Sequence, residues 1–536
     1  MSNAIEVQRI KTFKNKEYGD FQTPFSLTNS ICNLIKQHQF KPTILIEPSC
    51  GKGNFVISAL KTFPSIKNII AIEIQEHYKE ELYANLTEAD IDLESKKIIF
   101  INESFFDINF KNLLAIHNIS EQEDRFLILG NPPWVTNSFL GSINSLNIPN
   151  KTNSLVKFKG LDALTGKSNF DITEIFILKL MEYFSGKNAI ISLICKTATV
   201  HNLLKNYFQN FSKFQLSTYL FDAKREFGIS ASANVFQLKK RRSEQLRQRY
   251  CSVYTLADYR HKISSFGYRN NYFVSNIDLY NQFSSFEGDF YYQWRQGLKH
   301  DAGSVLVLEK ISPGLYQNKL MEKFELEDDL VYPFLKSSDI KGTTITKSRY
   351  FIIVTQEKLN EDVDRTLEFY PKTHVYLEAK EEFFLKRKSK IYKNRSKFCI
   401  FGIGDYSFKP FKIVVSGFYK KLNFALVLPF ESKTIMVDDT CYSLSFDRLE
   451  EAVLIWTLLN TQVVKKFFAS ITFTETKRPY KKDVLQRLDI KTLLETSVDS
   501  ELENIFQTLD EELINFSFNR VLKVKNDLIN KFQDSC

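Results

Sequence analysis

The chain has 536 residues, too many for one hydrophobic core, so roughly two to four domains are expected. Its 43% hydrophobic and 25% charged content is that of a globular protein and excludes a disordered or fibrous chain, and no run of about 18 apolar residues offers a membrane span. A net charge of +9 suits a polyanionic partner without requiring one.

The N-terminal stretch MSNAIEVQRIKTFKNKEYGD lacks the apolar run of a signal peptide. The cysteines, Cys32, Cys50, Cys195, Cys251, Cys399, Cys441 and Cys536, make no CxxC pair and no zinc spacing with histidine. Neither a disulfide framework nor a metal site is expected, and dispersed thiols fit a cytoplasmic protein.

Over the first 240 or so residues strand-like and helix-like patterns alternate. Short apolar runs at Thr43–Ile46, Asn68–Ile72, Lys97–Ile101, Phe126–Leu129 and Ala189–Ile194 read as strands, and Asn54–Phe63 and Thr173–Phe184 as helices. Such alternation predicts a parallel, doubly wound α/β sheet with its ligand site at the carboxyl ends of the strands. A basic run, Lys239-Lys240-Arg241-Arg242, closes this domain, expected to span residues 1–242.

The first strand runs into Glu47-Pro48-Ser49-Cys50-Gly51-Lys52-Gly53-Asn54-Phe55. Glycines at a strand-to-helix turn let the backbone approach a ligand, and the helix start adds a positive dipole end. The third glycine of a dinucleotide turn and the GK[ST] of a phosphate loop are both missing. The second strand ends at Glu73, where an acid can take both hydroxyls of a ribose. Turn and acid together suit a nucleoside without a phosphate chain, such as S-adenosyl-L-methionine.

The fourth strand leads into Gly130-Asn131-Pro132-Pro133-Trp134, the most specific signal in the chain. Prolines fix the backbone beyond a buried strand and leave a carbonyl without a ladder partner. Asn131 adds an amide acceptor and Trp134 a stacking face. Two acceptors can hold both hydrogens of an exocyclic amine, and the aromatic can grip a base after it leaves a duplex.

Asn-Pro-Pro-aromatic after a strand resembles the amino-methyltransferases that act on adenine in DNA, and the motif order is similar to their gamma class, the TaqI-like enzymes of restriction-modification systems. The resemblance implies a Rossmann-like, class I S-adenosylmethionine-dependent methyltransferase domain followed by a target recognition domain. It places Asn131, Pro132, Pro133 and Trp134 at the target base, with Phe227 of Glu226-Phe227-Gly228-Ile229-Ser230 as a second aromatic packing on it. Thr23 and Pro24, in Gly19-Asp20-Phe21-Gln22-Thr23-Pro24, match the family's leading cofactor motif; Glu47, Pro48, Ser49 and Gly51 match its cofactor loop, and Glu73 its ribose acid. The family places Asp-Phe after the third strand. Here Phe105 fits the aromatic, but Ser104 holds the acid's place, with Asp107 the favoured substitute and Glu103 the other. Residues Lys157–Ile172 read as a mobile loop over the active site.

No nucleophilic side chain is needed, since the amine attacks the methyl in line. C5-cytosine methylation would need a cysteine, usually after proline, and no Pro-Cys occurs. N4-cytosine methylation, RNA or protein-glutamine methylation, and a non-catalytic specificity protein with a relict domain remain as alternatives.

Residues 243–285 read as a connector, and 286–536 as the recognition domain, with short strands broken by Gly and Pro and then helices from about Leu449. Trp294–Asp301 and Phe401–Lys412 are similar to segments of that domain in the same family. Phe383–Lys397 carries Lys386, Arg387, Lys388, Lys390, Lys393, Arg395 and Lys397 without an acid, a spacing suited to DNA phosphates. Lys477-Arg478-Pro479-Tyr480-Lys481-Lys482 is a second basic cluster. Double-stranded DNA is therefore the expected partner. No PD…ExK arrangement is evident behind the recognition half, so any restriction activity, that of a cognate restriction endonuclease, is expected on a separate chain.

Overall fold

The structure is a computed structural model describing residues 21–136, 171–241, 249–509 and 513–534. Gly19, Asp20 and the expected loop up to residue 170 lie outside the described residues. The chain forms two compact units that divide after Ile277.

The first unit is built on a ten-stranded sheet. In chain order its elements are α1 (Phe25–Lys36), β1 (Ile44–Glu47), α2 (Asn54–Thr62), β2 (Asn68–Ile72), α3 (Tyr78–Glu88), β3 (Lys97–Ile101), α4 (Phe110–Ile116), β4 (Phe126–Gly130), α5 (Ile172–Phe184), β5 (Ala189–Lys196), α6 (Thr197–Tyr207), β6 (Phe214–Phe221), α7 (Ala223–Phe227), β7 (Ala233–Lys240), β8 (Tyr250–Thr255), β9 (Ser264–Arg269) and β10 (Tyr272–Val274). The strand order is β10-β9-β8-β6-β7-β5-β4-β1-β2-β3. Strands β1 to β5 are parallel, and β7 is antiparallel to both β5 and β6.

This is the expected α/β, doubly wound arrangement. β1 and β4 are buried at every residue, because helices cover both sheet faces and an unbroken apolar run is the pattern this demands. The chain moves outward from β1 through β2 to β3, then returns to the other side of β1 as β4. That reversal is the topological switch point, and the turns after β1 and β4 flank it.

Among the described residues, the expected connector at 243–285 is largely folded structure. Tyr250–Thr255, Ser264–Arg269 and Tyr272–Val274 extend the first unit's sheet beyond β6. Toward this edge burial thins, as in β8 (YCSVYT), where only Cys251 is fully buried, so the apolar run that marks a central strand is missing.

The second unit holds a five-stranded and a six-stranded sheet. The first joins β11 (Arg295–Gln296), β16 (Thr344–Ile345), β18 (Phe411–Ser416), β19 (Phe424–Val427) and β21 (Cys441–Phe446); the second joins β12 (Val307–Ser312), β13 (Leu315–Asn318), β14 (Lys323–Glu325), β15 (Val331–Leu335), β17 (Tyr350–Ile353) and β20 (Met436–Val437). Helices follow at Leu449–Leu459 and Gln462–Ile471, separated by a turn at Asn460-Thr461, whose threonine caps the second. Among the described residues no helix is long and apolar enough to cross a membrane, no group of side chains is arranged to hold a metal ion, and Cys32, Cys50, Cys195, Cys251, Cys399 and Cys441 are buried free thiols.

Candidate active site

Strand β1 delivers Glu47 to the sheet's carboxyl edge at 2% exposure. The backbone then turns through Gly51 and Gly53 with φ of +47° and +82°. A Cβ on Gly53 would lie 2.1 Å from Leu82 Cδ1, so glycine there permits both the left-handed turn and the close approach of α3. The turn is tied to the end of β2: Cys50 N–H donates to the Ile72 carbonyl at 2.9 Å, and Gly51 N–H donates to Glu73 Oε2 at 2.9 Å. Gln75 N–H donates to Glu73 Oε1 at 3.0 Å, so backbone donors hold both carboxylate oxygens.

Burial, followed by repulsion from Glu73, pushes the Glu47 carboxyl well above the usual range. Its Oε2 is buried without a hydrogen-bond partner. Two acids thus converge on a space that can relieve their repulsion by admitting a cation.

That space is a pocket open to solvent at the carboxyl edge of the sheet. Thr23, Glu47, Pro48, Ser49, Gly51, Glu73, Phe105, Asn131 and Pro133 all line it. Phe105 stacks on Phe176 of α5, with ring centroids 4.0 Å apart and planes at 9°, giving the pocket an aromatic wall. Lys179 fixes that wall's backbone by donating to the Phe105 and Phe106 carbonyls at 2.8 and 2.7 Å.

Asp107, the favoured replacement for the missing acid, is exposed and lies outside this lining. A turn in which Asp107 N–H bonds the Ser104 carbonyl carries it away, and Glu103 and Ser104 face the pocket instead. Pro24 stands just behind Thr23 as the residue preceding α1.

The turn after β4 is held from several sides. Asn131 Nδ2 donates to the Phe21 carbonyl at 3.1 Å, which fixes the amide and leaves Asn131 Oδ1 buried with no partner. The Asn131 carbonyl accepts from Ser49 Oγ at 3.3 Å, that of Pro133 from Thr173 Oγ1 at 3.0 Å, that of Trp134 from Lys196 Nζ at 2.8 Å and that of Val135 from Ile172 N–H at 2.9 Å. Among the described residues no hydrogen bond takes the carbonyl of Pro132, a buried residue.

Trp134 is 8% exposed and meets Phe227 edge-on at 5.6 Å and Phe21 at 6.2 Å. Phe227 ends the one-turn helix α7. Asp222 caps that helix at its start, and Gly228, at φ +69°, terminates it in the left-handed conformation, so the aromatic is held in place by local structure. The predicted catalytic and cofactor residues therefore converge on one sheet edge, Asp107 excepted. Phe21, Gln22 and Phe176 line the same pocket, and Lys196, paired with Asp171, bonds the turn after β4, although the sequence does not single these residues out. Phe21 and Gln22 sit inside the leading motif, whereas Phe176 lies on a helix apolar nearly all round, where spacing marks no special face.

In the second unit the basic segment divides by environment. Arg387 turns inward: it donates to the carbonyls of Phe384, Cys399, Lys397 and His300 and stacks on Tyr392 at 3.7 Å. It organises its own loop, which removes it from the set of expected phosphate contacts. Lys397 pairs with Glu378 at 2.8 Å and Glu381 at 3.2 Å, Lys386 with Glu382 at 2.6 Å, and Arg395 donates to Asn360 at 3.1 Å. Acids just before the segment thus neutralise part of it. Lys388, Lys390 and Lys393 are exposed. In the second cluster, Arg478 donates to the Asp439 carbonyl at 2.8 Å and Lys481 pairs with Asp483 at 3.1 Å.

The sequence profile of the N-6 DNA methylase family matches residues 7–201. The chain is 35% identical over 490 residues to the type II methyltransferase M.NspV of Nostoc sp., covering 89% of this chain and 97% of that one. It also resembles the structure of the type IIL restriction-modification enzyme MmeI, solved in complex with DNA, with a TM-score of 0.51 at 13% identity over 95% of this chain and 76% of that one. The turn of Asn131–Trp134, the Gly51–Glu73 pocket and this similarity along nearly the whole length agree: the chain belongs to the N-6 DNA methylase family, among the type II methyltransferases.

Proposed function

We propose that the protein transfers a methyl group from S-adenosyl-L-methionine to the N6 amine of an adenine flipped out of a specific duplex DNA site. The observation that carries this reading is the pair of unengaged acceptors in one turn, the buried Asn131 Oδ1 and the Pro132 carbonyl, with the neighbouring carbonyls already taken. An exocyclic amine supplies one hydrogen to each, which draws its lone pair out of ring conjugation. The nitrogen then forms a bond to the methyl carbon as the carbon–sulfur bond breaks, and the extra proton passes to solvent. Trp134 stacks on the base, and entry of that base displaces Phe227 from its edge contact or Phe21 from its tilted one.

The pocket suits the donor. A sulfonium with an amino-acid ammonium is a cation, and it relieves the repulsion between Glu47 and Glu73. Glu73 takes the ribose hydroxyls; Phe105 lies against the adenine ring; Thr23, Pro48, Ser49 and Gly51 supply the surrounding wall, with Pro24 behind it. The bound donor supplies an electrophilic methyl group. The second unit is the target recognition domain, and Lys388, Lys390 and Lys393 are its phosphate contacts from the basic segment. Any restriction activity paired with it sits on a separate chain.

Incubating the purified protein with duplex DNA and isotopically labelled S-adenosyl-L-methionine, then digesting to nucleosides, tests this directly. Label is expected in N6-methyldeoxyadenosine. Label in N4-methyldeoxycytidine, or in no nucleoside, overturns the adenine assignment.

A further inference from the structure

The segments on either side of residues 137–170 meet again at the catalytic turn. Thr136 and Asp171 form an antiparallel bridge, and Ile172 N–H donates to the Val135 carbonyl at 2.9 Å. Asp171 is 7% exposed; its Oδ1 accepts from Thr173 N–H at 3.1 Å and so caps α5. Its Oδ2 pairs with Lys196 Nζ at 2.8 Å, and the same ammonium donates to the Trp134 carbonyl at 2.8 Å. Lys196 is the last residue of β5, the strand beside β4, so the sheet fixes where its side chain starts.

Proline fixes φ, and the ring of Pro133 confines the ψ of Pro132 to the extended region, so what remains to aim its carbonyl is adjustment within that region. The aim of the Pro132 carbonyl is therefore set by its neighbours: Ser49 on the Asn131 carbonyl, Thr173 on that of Pro133, and Lys196 on that of Trp134. Of these donors only Lys196 is charged, and charge-assisted bonds are the stronger kind. Its partner carboxylate comes from the helix that also supplies Thr173, so one ion pair ties β4, β5 and α5 together at the turn.

We propose that Lys196, anchored by Asp171, is a positioning residue for methyl transfer. It holds the Trp134 peptide and thereby aims the Pro132 carbonyl at the target amine. The proposal rests on the amino-methyltransferase reading above, and it assigns Lys196 no proton transfer and no contact with the base.

The test compares Lys196→Met, Lys196→Arg and Asp171→Asn with wild type on DNA carrying the site mapped from wild-type methylation. Single-turnover methyl transfer, S-adenosyl-L-methionine affinity, DNA affinity and melting temperature are measured for each. A misplacement of about 1 Å at a reacting centre costs up to ~10²-fold. The Met variant is expected to lose roughly tenfold to a hundredfold in single-turnover rate, with both affinities within about twofold of wild type. The Arg variant is expected to recover most of the rate. Asp171→Asn keeps the helix cap, loses the charge, and is expected to fall between them; it carries the test if Lys196→Met fails to fold. A folded Met variant at the wild-type rate, or rate and cofactor affinity falling together without rescue by Arg, overturns the proposal. Wild type that labels cytosine instead overturns the adenine reading alone, because the same turn holds either amine.

Discussion

Gly51 and Glu73 are bonded to each other: the glycine's backbone N–H donates to Glu73 Oε2 at 2.9 Å, linking the turn after the first strand to the end of the second. One hydrogen bond thus joins the two sequence features that point to a nucleoside pocket. It also gives Glu73 a second duty in the proposed site, since the carboxylate assigned to the ribose also shapes the turn facing it.

Glu73→Ala should therefore weaken S-adenosyl-L-methionine binding by on the order of tenfold to a hundredfold, the worth of a charge-assisted hydrogen bond at about 1.5–3 kcal/mol. Titration calorimetry measures this. Unchanged affinity in a folded variant would remove Glu73 from the cofactor site.

Glu174, at 4% exposure in the first turn of α5, is pushed up to about 7 by burial and then by Asp171. A carboxyl whose folded value lies above its ordinary 4.5 favours the fold while protonated, and that contribution is lost as pH rises toward 7. Wild type should lose about 2–3 kcal/mol more stability than Glu174→Gln between pH 5 and pH 8. Urea unfolding at both pH values checks it, and parallel losses in the two proteins would refute it.

Arg387 and its lysine neighbours should respond differently to removal. Arg387→Ala takes away donors to four carbonyls and a stacking interaction, and should cost roughly 2–4 kcal/mol of stability. Changing Lys388, Lys390 and Lys393 together to Ala should leave stability nearly unchanged and weaken all DNA alike. It should also reduce the slope of log affinity against log salt by about 0.9 for each phosphate no longer neutralised. The reverse pattern would put the segment off the DNA path.

The central sheet and its pocket were legible because parallel strands buried on both faces must be apolar throughout, and because each strand end carries a residue type with a distinct chemistry. The edge strands at 250–274 were not, since Tyr250–Thr255 mixes polar and aromatic residues where burial is thin. Arg387 is indistinguishable from Lys388 by charge alone; only packing shows that one stacks on Tyr392 while the other is exposed. Lys196 was equally silent, because the atoms it binds are the backbone oxygen of Trp134 and a carboxylate from the start of α5, neither near it in sequence.

The most direct test of the proposed mechanism is the single-turnover rate of Asn131→Ala. Asn131 Oδ1 is buried and unpartnered, and Nδ2 of the amide donates to the Phe21 carbonyl; the proposal has Asn131 accept from the amine and gives it no part in holding the cofactor's ribose. Near-normal S-adenosyl-L-methionine and DNA affinity is expected, with methyl transfer slower by on the order of 10²–10³-fold, the loss typical of removing one group that stabilises charge in the transition state. Methylation of DNA by Asn131→Ala at the wild-type rate would contradict it.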